Sequence, residues 1–318
     1  MTDPGDTLRV LVVGTGAIGS LLAARLARAG AAKVTVAGTW TEALATVRRE
    51  GITVKDDSGR WSAQVETATL SEVGPGQADY VLVLVKSPRT AAVAATAALA
   101  LAPGGMIVTL QNGLGNREVL AAAAGADRVA VGVTTLGATL LGPGRVRAAP
   151  GSIVIGATDA GPLTRLVQAL RAAGMETETM PDIGRLVWRK MAASCSINPV
   201  AALLGVANGV LVSSADGRER LSAAAREVGA VAAAKGIDLQ EDAVALALTV
   251  AARTAGNRCS MLQDLDRGAP TEIDALCGAV VAEGRNVGVS TPVNAALWQE
   301  VHAREARLRA TRGPAPAR

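Results

Sequence analysis

Three polar residues share one face of an otherwise apolar segment in the second half of the chain. Lys190, Ser194 and Asn198 are spaced i, i+4 and i+8, and most residues between them are apolar. On an α-helix this spacing places all three side chains on one stripe. Such a stripe either faces water or lines a cleft, and we favour the cleft because the segment offers little other polar surface.

A lysine in this position can act as a proton donor. Where a reaction leaves negative charge on a substrate oxygen, a protein group has to protonate that oxygen. The single histidine, His302, lies among charged residues near the end of the chain, so lysine is the natural donor. Burial of Lys190 would lower its pKa toward neutral pH. Pro199 is expected to kink or end this helix, and Asn198 would then have an alternative role in bonding freed backbone groups.

Three further polar residues follow predicted strands or begin a predicted helix. Lys86 ends the apolar strand predicted at 80–85, and Asn112 follows the strand predicted at 106–110. Ligands of parallel sheets bind at the carboxyl ends of strands, which places both residues beside a cofactor. Glu272 comes shortly after Pro270 at a helix start, where an acidic residue also has a plain structural explanation. Spacing alone assigns Glu272 no role.

The glycine-rich segment 14–19 has the pattern of a dinucleotide-binding turn. It follows a β-branched run at 8–13 and opens a segment with helical periodicity that extends to Gly30. In this pattern the first glycine allows a tight turn, the second lets the backbone approach a pyrophosphate, and the third allows close packing of helix and strand. The helix N-terminus then presents free N–H groups to the phosphates. The residues of the motif are Gly14, Thr15, Gly16, Ala17, Ile18 and Gly19.

The end of the second predicted strand bears on the choice of nicotinamide cofactor. Residues 37–40 read Ala-Gly-Thr-Trp and contain no carboxylate. An acidic residue there would bind the ribose 2′-hydroxyl of NAD and repel a 2′-phosphate, so its absence permits NADPH. Thr39 offers a hydroxyl donor, and Trp40 offers either a face for adenine or ordinary packing. Arg48 and Arg49 are candidate charge partners.

An alternation of strands and helices carries these residues in the first half of the chain. We predict strands at 34–37, 80–85, 106–110 and 129–133, helices at 42–50, 90–101 and 163–173, and an antiparallel extension at 145–148 and 152–155. From about residue 182 onward, helical Ala/Leu/Val segments follow, with breaks near Pro199, Gly209, Gly236 and Gly268. The predicted fold is a Rossmann-type α/β domain with a mostly parallel sheet at 1–180, then an all-α domain at 181–318 whose tail, about 311–318, is disordered.

Composition argues against several other classes of protein. Aromatic residues make up 2% of the 318 residues, so stacking platforms for nucleic acid bases are scarce. Three cysteines without CxxC spacing and one histidine predict neither a disulfide framework nor a metal site. The N-terminal segment lacks a secretory signal, and Pro, Gly, Asn or Ser interrupt the long uncharged stretches. We expect a cytoplasmic protein with a small-molecule partner and neither a nucleic acid nor a membrane partner; homodimerisation is left open.

Five segments occur in order along nearly the whole chain: GTGAIG, LVK, QNG, WRKMAASCSINP and SMLQDLDRGAPTEID. Together they resemble the ketopantoate reductase (2-dehydropantoate 2-reductase) family. The resemblance implies an oxidoreductase that reduces 2-dehydropantoate to (R)-pantoate with NADPH, in pantothenate biosynthesis. It implies Lys190 as the general acid and Glu272 as the acidic partner that orients substrate and cofactor. Carried over by position, the cofactor residues are Gly14, Thr15, Gly16, Ala17, Ile18, Gly19, Thr39, Lys86, Asn112, Ala138 and Glu272. The substrate residues are Asn112, Lys190, Ser194, Asn198, Asn208 and Ser260, with Ser260 as a donor to the carboxylate.

Three positions depart from the family pattern. Ser194 and Cys277 stand where family members usually carry Asn, and Thr39 stands where many carry Arg. The shorter Ser194 side chain can reach a different substrate or leave room for a bulkier one, and Thr39 weakens the selection of NADPH. The alternatives are a paralogous reductase of another keto or imino acid and a non-catalytic NADPH-binding sensor. Retention of both Lys190 and Glu272 argues against the sensor.

Overall fold

A computed structural model describes residues 7–312 and divides them into two compact units. The first unit comprises residues 7–111 and Asn116–Ile183; the second comprises the loop Asn112–Gly115 and residues 184–312. A single boundary near residue 180 does not capture this division, because a short loop from the first half of the chain belongs to the second unit. Residues 313–318 of the predicted disordered tail lie outside the described residues. Residues 311 and 312 of that tail are instead the end of a helix.

The described part of the first unit contains twelve strands and five α-helices. The strands are β1 (Arg9–Val13), β2 (Lys33–Gly38), β3 (Ile52–Asp56), β4 (Gly59–Ala63), β5 (Glu66–Thr69), β6 (Ala78–Val83), β7 (Leu101–Thr109), β8 (Val129–Thr134), β9 (Gly137–Gly142), β10 (Arg145–Ala149), β11 (Ser152–Gly156) and β12 (Glu176–Met180). The helices are α1 (Ala17–Arg28), α2 (Thr41–Glu50), α3 (Thr90–Ala100), α4 (Asn116–Ala124) and α5 (Thr164–Ala172).

Eight strands form the main sheet, in the order β12-β11-β8-β7-β6-β1-β2-β5. Neighbouring strands are parallel except for the antiparallel pair β8 and β11. The mostly parallel sheet predicted from the strand–helix alternation is therefore confirmed. Apolar β-branched strands such as β1 and β6 lie at its centre, buried on both faces, as such sheets require.

A second sheet, which the sequence analysis missed, has four strands in the order β4-β3-β10-β9. The predicted antiparallel extension is wrong in one respect, because β10 joins this sheet while β11 pairs with β8 in the main sheet. Helix α1 packs against β2 and against all four strands of the second sheet. This double cover explains why seven of the twelve residues of α1 are buried, and it holds the N-terminus of α1 in place.

The described residues of the second unit form helices joined by loops, with no strand among them, as predicted. Its helices are α6 (Gly184–Leu204), α7 (Val210–Ser213), α8 (Ala215–Ala234), α9 (Ala243–Arg253), α10 (Ser260–Arg267), α11 (Ala279–Val287) and α12 (Pro292–Arg312), with a π-helical turn at Asp274–Gly278. Helix α6 lies at the centre and packs against α8, α9, α10 and α12. Within the described part of the chain, no helix is both long enough and apolar enough to cross a bilayer.

Pro199 does not break α6, contrary to the prediction, and the helix continues to Leu204. A proline has no N–H, so the carbonyl of Cys195 four residues earlier loses its helical donor. The thiol of Cys277 donates to that carbonyl, at 3.5 Å from Sγ to oxygen. Tertiary packing thus supplies a partner for the freed carbonyl, a role that Asn198 had been considered for. The predicted breaks at Gly209, Gly236 and Gly268 do fall between helices.

Candidate active site

The glycine turn of the first unit is built by close backbone packing. Gly14 has φ +127°, and a Cβ there would lie 2.9 Å from the carbonyl carbon of Leu84, just after β6. A Cβ on Gly19 would lie 2.2 Å from the carbonyl oxygen of Gly14. By contrast, a Cβ on Gly16 would meet no atom within 4 Å. The fold therefore requires glycine at 14 and 19, whereas glycine at 16 keeps open a space that a side chain would fill and a phosphate can use.

The N-terminus of α1 opens onto this space without a competing cap. Gly16 is the N-cap residue, no side chain accepts from the first turn, and that turn contains no acidic residue. The free N–H groups and the positive end of the helix dipole suit a pyrophosphate. Ala17 is half-buried, and Ile18 and Ala138 are half-buried against the core around α1. The described residues therefore fit the phosphate portion of a dinucleotide.

The end of β2 carries the residues considered for the adenosine end of the cofactor. Thr39 is exposed, while Trp40 is buried and its Nε1 lies 3.3 Å from Oε2 of Glu42. The burial of Trp40 favours the packing alternative over an open face for adenine. Of the two candidate arginines, Arg48 donates to the hydroxyl (3.1 Å) and the carbonyl (3.3 Å) of Thr67 in β5. Arg49 is paired with its neighbour in the chain.

Lys86 lies three residues beyond β6, at the start of a short 3₁₀ turn, and is half-buried. Gln111 Nε2 donates to the carbonyl of Val85 at 2.7 Å and to the hydroxyl of Thr90 at 2.8 Å. The Thr90 hydroxyl donates in turn to Oδ1 of the buried Asn116 at 2.8 Å. This polar network holds the turn that carries Lys86. Sequence analysis missed Thr90 and Asn116, because polar residues at helix starts are ordinarily explained as caps.

In the second unit, Lys190, Ser194 and Asn198 lie along α6 as half-buried residues of a mostly buried segment. The neighbouring Met191 and Cys195 are buried. The three polar side chains therefore form the accessible face of the segment, at the spacing that the sequence predicts.

Glu272 is brought together with Asn112, although 160 residues separate them in the chain. Asn112 Nδ2 donates to Oε2 of Glu272 at 3.2 Å. The loop Asn112–Gly115 is held there because the N–H of Leu114 donates to the carbonyl of Ala275 at 2.9 Å. Gly113 has φ +85°, and a Cβ on it would lie 2.4 Å from the same carbonyl oxygen. Only glycine allows this loop to approach the Glu272 turn so closely.

The charges of this cluster are coupled. Burial lowers the pKa of Lys190 to about 8, and the negative charge of Glu272 acts in the opposite direction. Glu272 itself is only 7% exposed, which separates it from an ordinary solvated acid at a helix start. A partly desolvated ammonium with a pKa near neutral and a carboxylate close by are suited to proton transfer.

Two further residues implied by the resemblance lie in different surroundings. Asn208 is buried, its Nδ2 donates to the hydroxyl of Thr254 at 2.9 Å, and its Oδ1 has no hydrogen-bond partner among the described residues. Ser260 is exposed as the first residue of α10. The preceding Cys259 caps α10, and its thiol donates to the carbonyl of Asn198 at 3.4 Å. The residue that caps α10 therefore contacts the backbone of α6 at Asn198, the last residue of the polar stripe.

The two units correspond to two models of a known family. Residues 10–160 match the model described as ketopantoate reductase PanE/ApbA, and residues 182–305 match its C-terminal counterpart. The chain belongs to the ketopantoate reductase family. The resemblance and the fold class predicted from the sequence are thereby confirmed.

Individual members of the family, and one further enzyme, align with the chain over most of its length. A 2-dehydropantoate 2-reductase of Halobacterium salinarum is 40% identical over 291 residues, which are 90% of this chain and 95% of that protein. The structure of a PanE/ApbA family ketopantoate reductase from Ralstonia eutropha JMP134 has 30% identity and a TM-score of 0.86, with 95% and 100% of the two chains covered. A D-mandelate dehydrogenase with NADH and anilino(oxo)acetate has a TM-score of 0.88 over 95% and 99% of the chains. Its 23% identity shows a shared fold alone.

Within this ketopantoate reductase framework, two of the three departures have clear surroundings. Ser194 is half-buried between Lys190 and Asn198 on the polar stripe. Cys277 is fully buried and donates to the carbonyl that Pro199 leaves free. The first departure therefore lies on the accessible face of α6, whereas the second belongs to the packing of α6.

Proposed function

We propose that this chain reduces 2-dehydropantoate to (R)-pantoate with NADPH, as an oxidoreductase of pantothenate biosynthesis. The names of its relatives support this activity. The observation that carries the proposal is the lysine on α6. Lys190 is half-buried and has a pKa of about 8, to which the negative charge of Glu272 contributes by raising it.

The glycine turn of the first unit supports NADPH as the cofactor. In the bound state, NADPH would supply a hydride to C2 of the substrate. The open space at Gly16 and the uncapped N-terminus of α1 would hold the pyrophosphate. By family position, Thr39 would contact the adenosine side, Lys86 and Asn112 would provide polar groups beside the cofactor, and Ala138 would also contact the cofactor.

Lys190 would provide the proton that completes the reduction. As the π bond of the ketone breaks, its electron pair moves to the oxygen, and the Lys190 ammonium donates a proton there. Lys190 is left as a neutral amine, which regains a proton from solvent. Glu272 raises the pKa of Lys190 and so keeps the donor protonated to higher pH. Asn112 fixes the Glu272 carboxylate by a hydrogen bond at 3.2 Å.

Neutral hydrogen-bonding groups would hold the substrate. Ser194 and Asn198 share the accessible face of α6 with Lys190, and Ser260 is exposed at the start of α10. Ser260 would donate to the substrate carboxylate, and Asn208 would offer its free Oδ1 to a hydroxyl. We further propose a cytoplasmic location; homodimerisation stays a prediction.

A second candidate is reduction of another keto or imino acid. Ser194 favours it, because serine has a shorter side chain than the asparagine that family members usually carry at this position. A turnover screen of purified protein against a panel of 2-oxo acids, with NADPH and NADH in parallel, separates the candidates. Brisk turnover of 2-dehydropantoate with NADPH supports the first, and turnover of another acid alone supports the second. If NADPH binds and no acid turns over, the protein is a sensor and both proposals are wrong.

A further inference from the structure

The last helix of the chain anchors the turn that carries Glu272. Glu305 on α12 is only 9% exposed, and its Oε1 accepts the backbone N–H of Thr271 at 2.7 Å. Thr271 directly precedes Glu272 and is itself buried. A charge-assisted hydrogen bond of this length between buried groups restrains the backbone at its donor, Thr271.

A second tie runs from the same helix to the far side of Glu272. Asp274 Oδ1 lies 2.8 Å from Nε2 of His302 and accepts from Nε1 of Trp298 at 2.7 Å. His302 Nδ1 lies 3.4 Å from Oε2 of Glu305, which joins the two ties. The ionisable side chains that face Glu305 are therefore His302 and, at 3.8 Å, Arg309. Glu272 therefore lies between Thr271, whose backbone N–H α12 binds, and Asp274, whose side chain α12 binds.

We propose that Glu305 is a positioning residue of the active site, which fixes Glu272 relative to Lys190 by holding the N–H of Thr271. This inference rests on the proposed function for its effect on kcat. The expected change in the pKa of Lys190 does not depend on that function. Glu305 would act only through Glu272, because Glu272 is the charged group that acts on Lys190. Displacements of about 1 Å at such sites can lower rates by about 10²-fold.

The pKa of Lys190 distinguishes this role from a purely structural one. Glu272 raises that pKa, so a Glu272 that moves away leaves desolvation to lower it further. The amine can be titrated without turnover, by competitive acetylation across pH with the exposed Lys33 and Lys55 as internal references. The reactive fraction of Lys190 is then followed by mass spectrometry of its peptide.

The test compares three variants of Glu305 with a control on the same helix. In Glu305→Ala the acceptor is lost, in Glu305→Asp the charge remains but is one methylene farther from Thr271, and in Glu305→Gln an acceptor oxygen remains. The matched control is Glu300→Ala, which removes an exposed ion pair to Arg220 but touches nothing at the Glu272 turn.

We expect the Lys190 midpoint to fall from about 8 in the wild type by up to about one pH unit in Glu305→Ala. Glu305→Asp should show a smaller shift of the same sign, while Glu305→Gln and Glu300→Ala should keep the wild-type midpoint. With an active enzyme, kcat should fall about tenfold in Glu305→Ala and recover in Glu305→Gln.

An unchanged Lys190 midpoint in both the Ala and Asp variants would overturn the proposal. So would a Gln variant that shifts as far as the Ala variant, because the acceptor would then be irrelevant. If Glu305→Ala does not fold, the Asp variant decides. A wild-type protein that turns over no acid refutes the proposed function, yet the labelling experiment still tests the positioning role.

Discussion

Replacement of Lys190 gives the sharpest test of the chemistry. With a pKa of about 8, about nine-tenths of the Lys190 side chains carry a proton at pH 7. The rate of reduction should therefore be nearly flat below pH 7 and fall about tenfold per pH unit well above pH 8. Lys190→Ala removes the donor, so we expect kcat to fall by about 10²- to 10⁴-fold and the alkaline limb to disappear. A loss of this size corresponds to about 2.7–5.4 kcal/mol of transition-state stabilisation.

A second substitution separates proton donation from positive charge. Lys190→Arg keeps the charge, but a guanidinium does not release its proton in this pH range. We expect it to be nearly as slow as Lys190→Ala. The assay is the loss of NADPH absorbance with saturating 2-oxo acid at several pH values, together with the Kd for NADPH from fluorescence. The Kd should stay within about twofold of wild type, since a general acid acts on the chemical step and not on cofactor binding.

Lys235→Ala is the matched control, because Lys235 lies in the same unit and forms an ion pair with Glu283 away from the polar stripe of α6. It should leave kcat and the pH profile unchanged. Wild-type turnover in Lys190→Ala, or a persisting alkaline limb near pH 8, would refute the assignment of Lys190 as the proton donor.

Three further substitutions test other parts of the site. Gly113→Ala should lower the free energy of unfolding by about 1–3 kcal/mol and reduce kcat, because its Cβ would lie 2.4 Å from the Ala275 carbonyl oxygen; denaturant unfolding measures this. Gly115→Ala is its control, with φ +89° and open space around the Cβ, and an equal loss of kcat in both would contradict the contact argument. Thr39→Arg should lower KM for NADPH several-fold and leave KM for NADH nearly unchanged, because a guanidinium binds the 2′-phosphate; an equal change for both cofactors would exclude Thr39 from that site. Ser194→Asn restores the usual family residue and should raise kcat/KM for 2-dehydropantoate relative to other 2-oxo acids in the panel. An unchanged ranking would remove Ser194 from the substrate site.

Local patterns in the sequence were sufficient to predict part of the fold and part of the candidate site. The turn at residues 14–19, the alternation of strands and helices, and the i, i+4, i+8 stripe on α6 all follow from the periodicity of a single segment. Such patterns are informative because hydrophobic spacing and glycine conformations act within a few residues of chain. They predicted the fold class and the helix that carries Lys190.

The tertiary structure decided whatever depends on residues distant in the chain. It pairs Asn112 with Glu272 and ties the turn of Glu272 to α12. It also allows α6 to pass through Pro199, because Cys277 supplies a donor from 82 residues away, whereas local rules predict a break. Three strands of the second sheet, β3, β4 and β9, are short, so only their pairing and the cover they give α1 identify them. The fourth strand, β10, was predicted from the sequence, but its place in this sheet was not. The sequence therefore predicted which groups the candidate site contains, and long-range packing determined which of them meet.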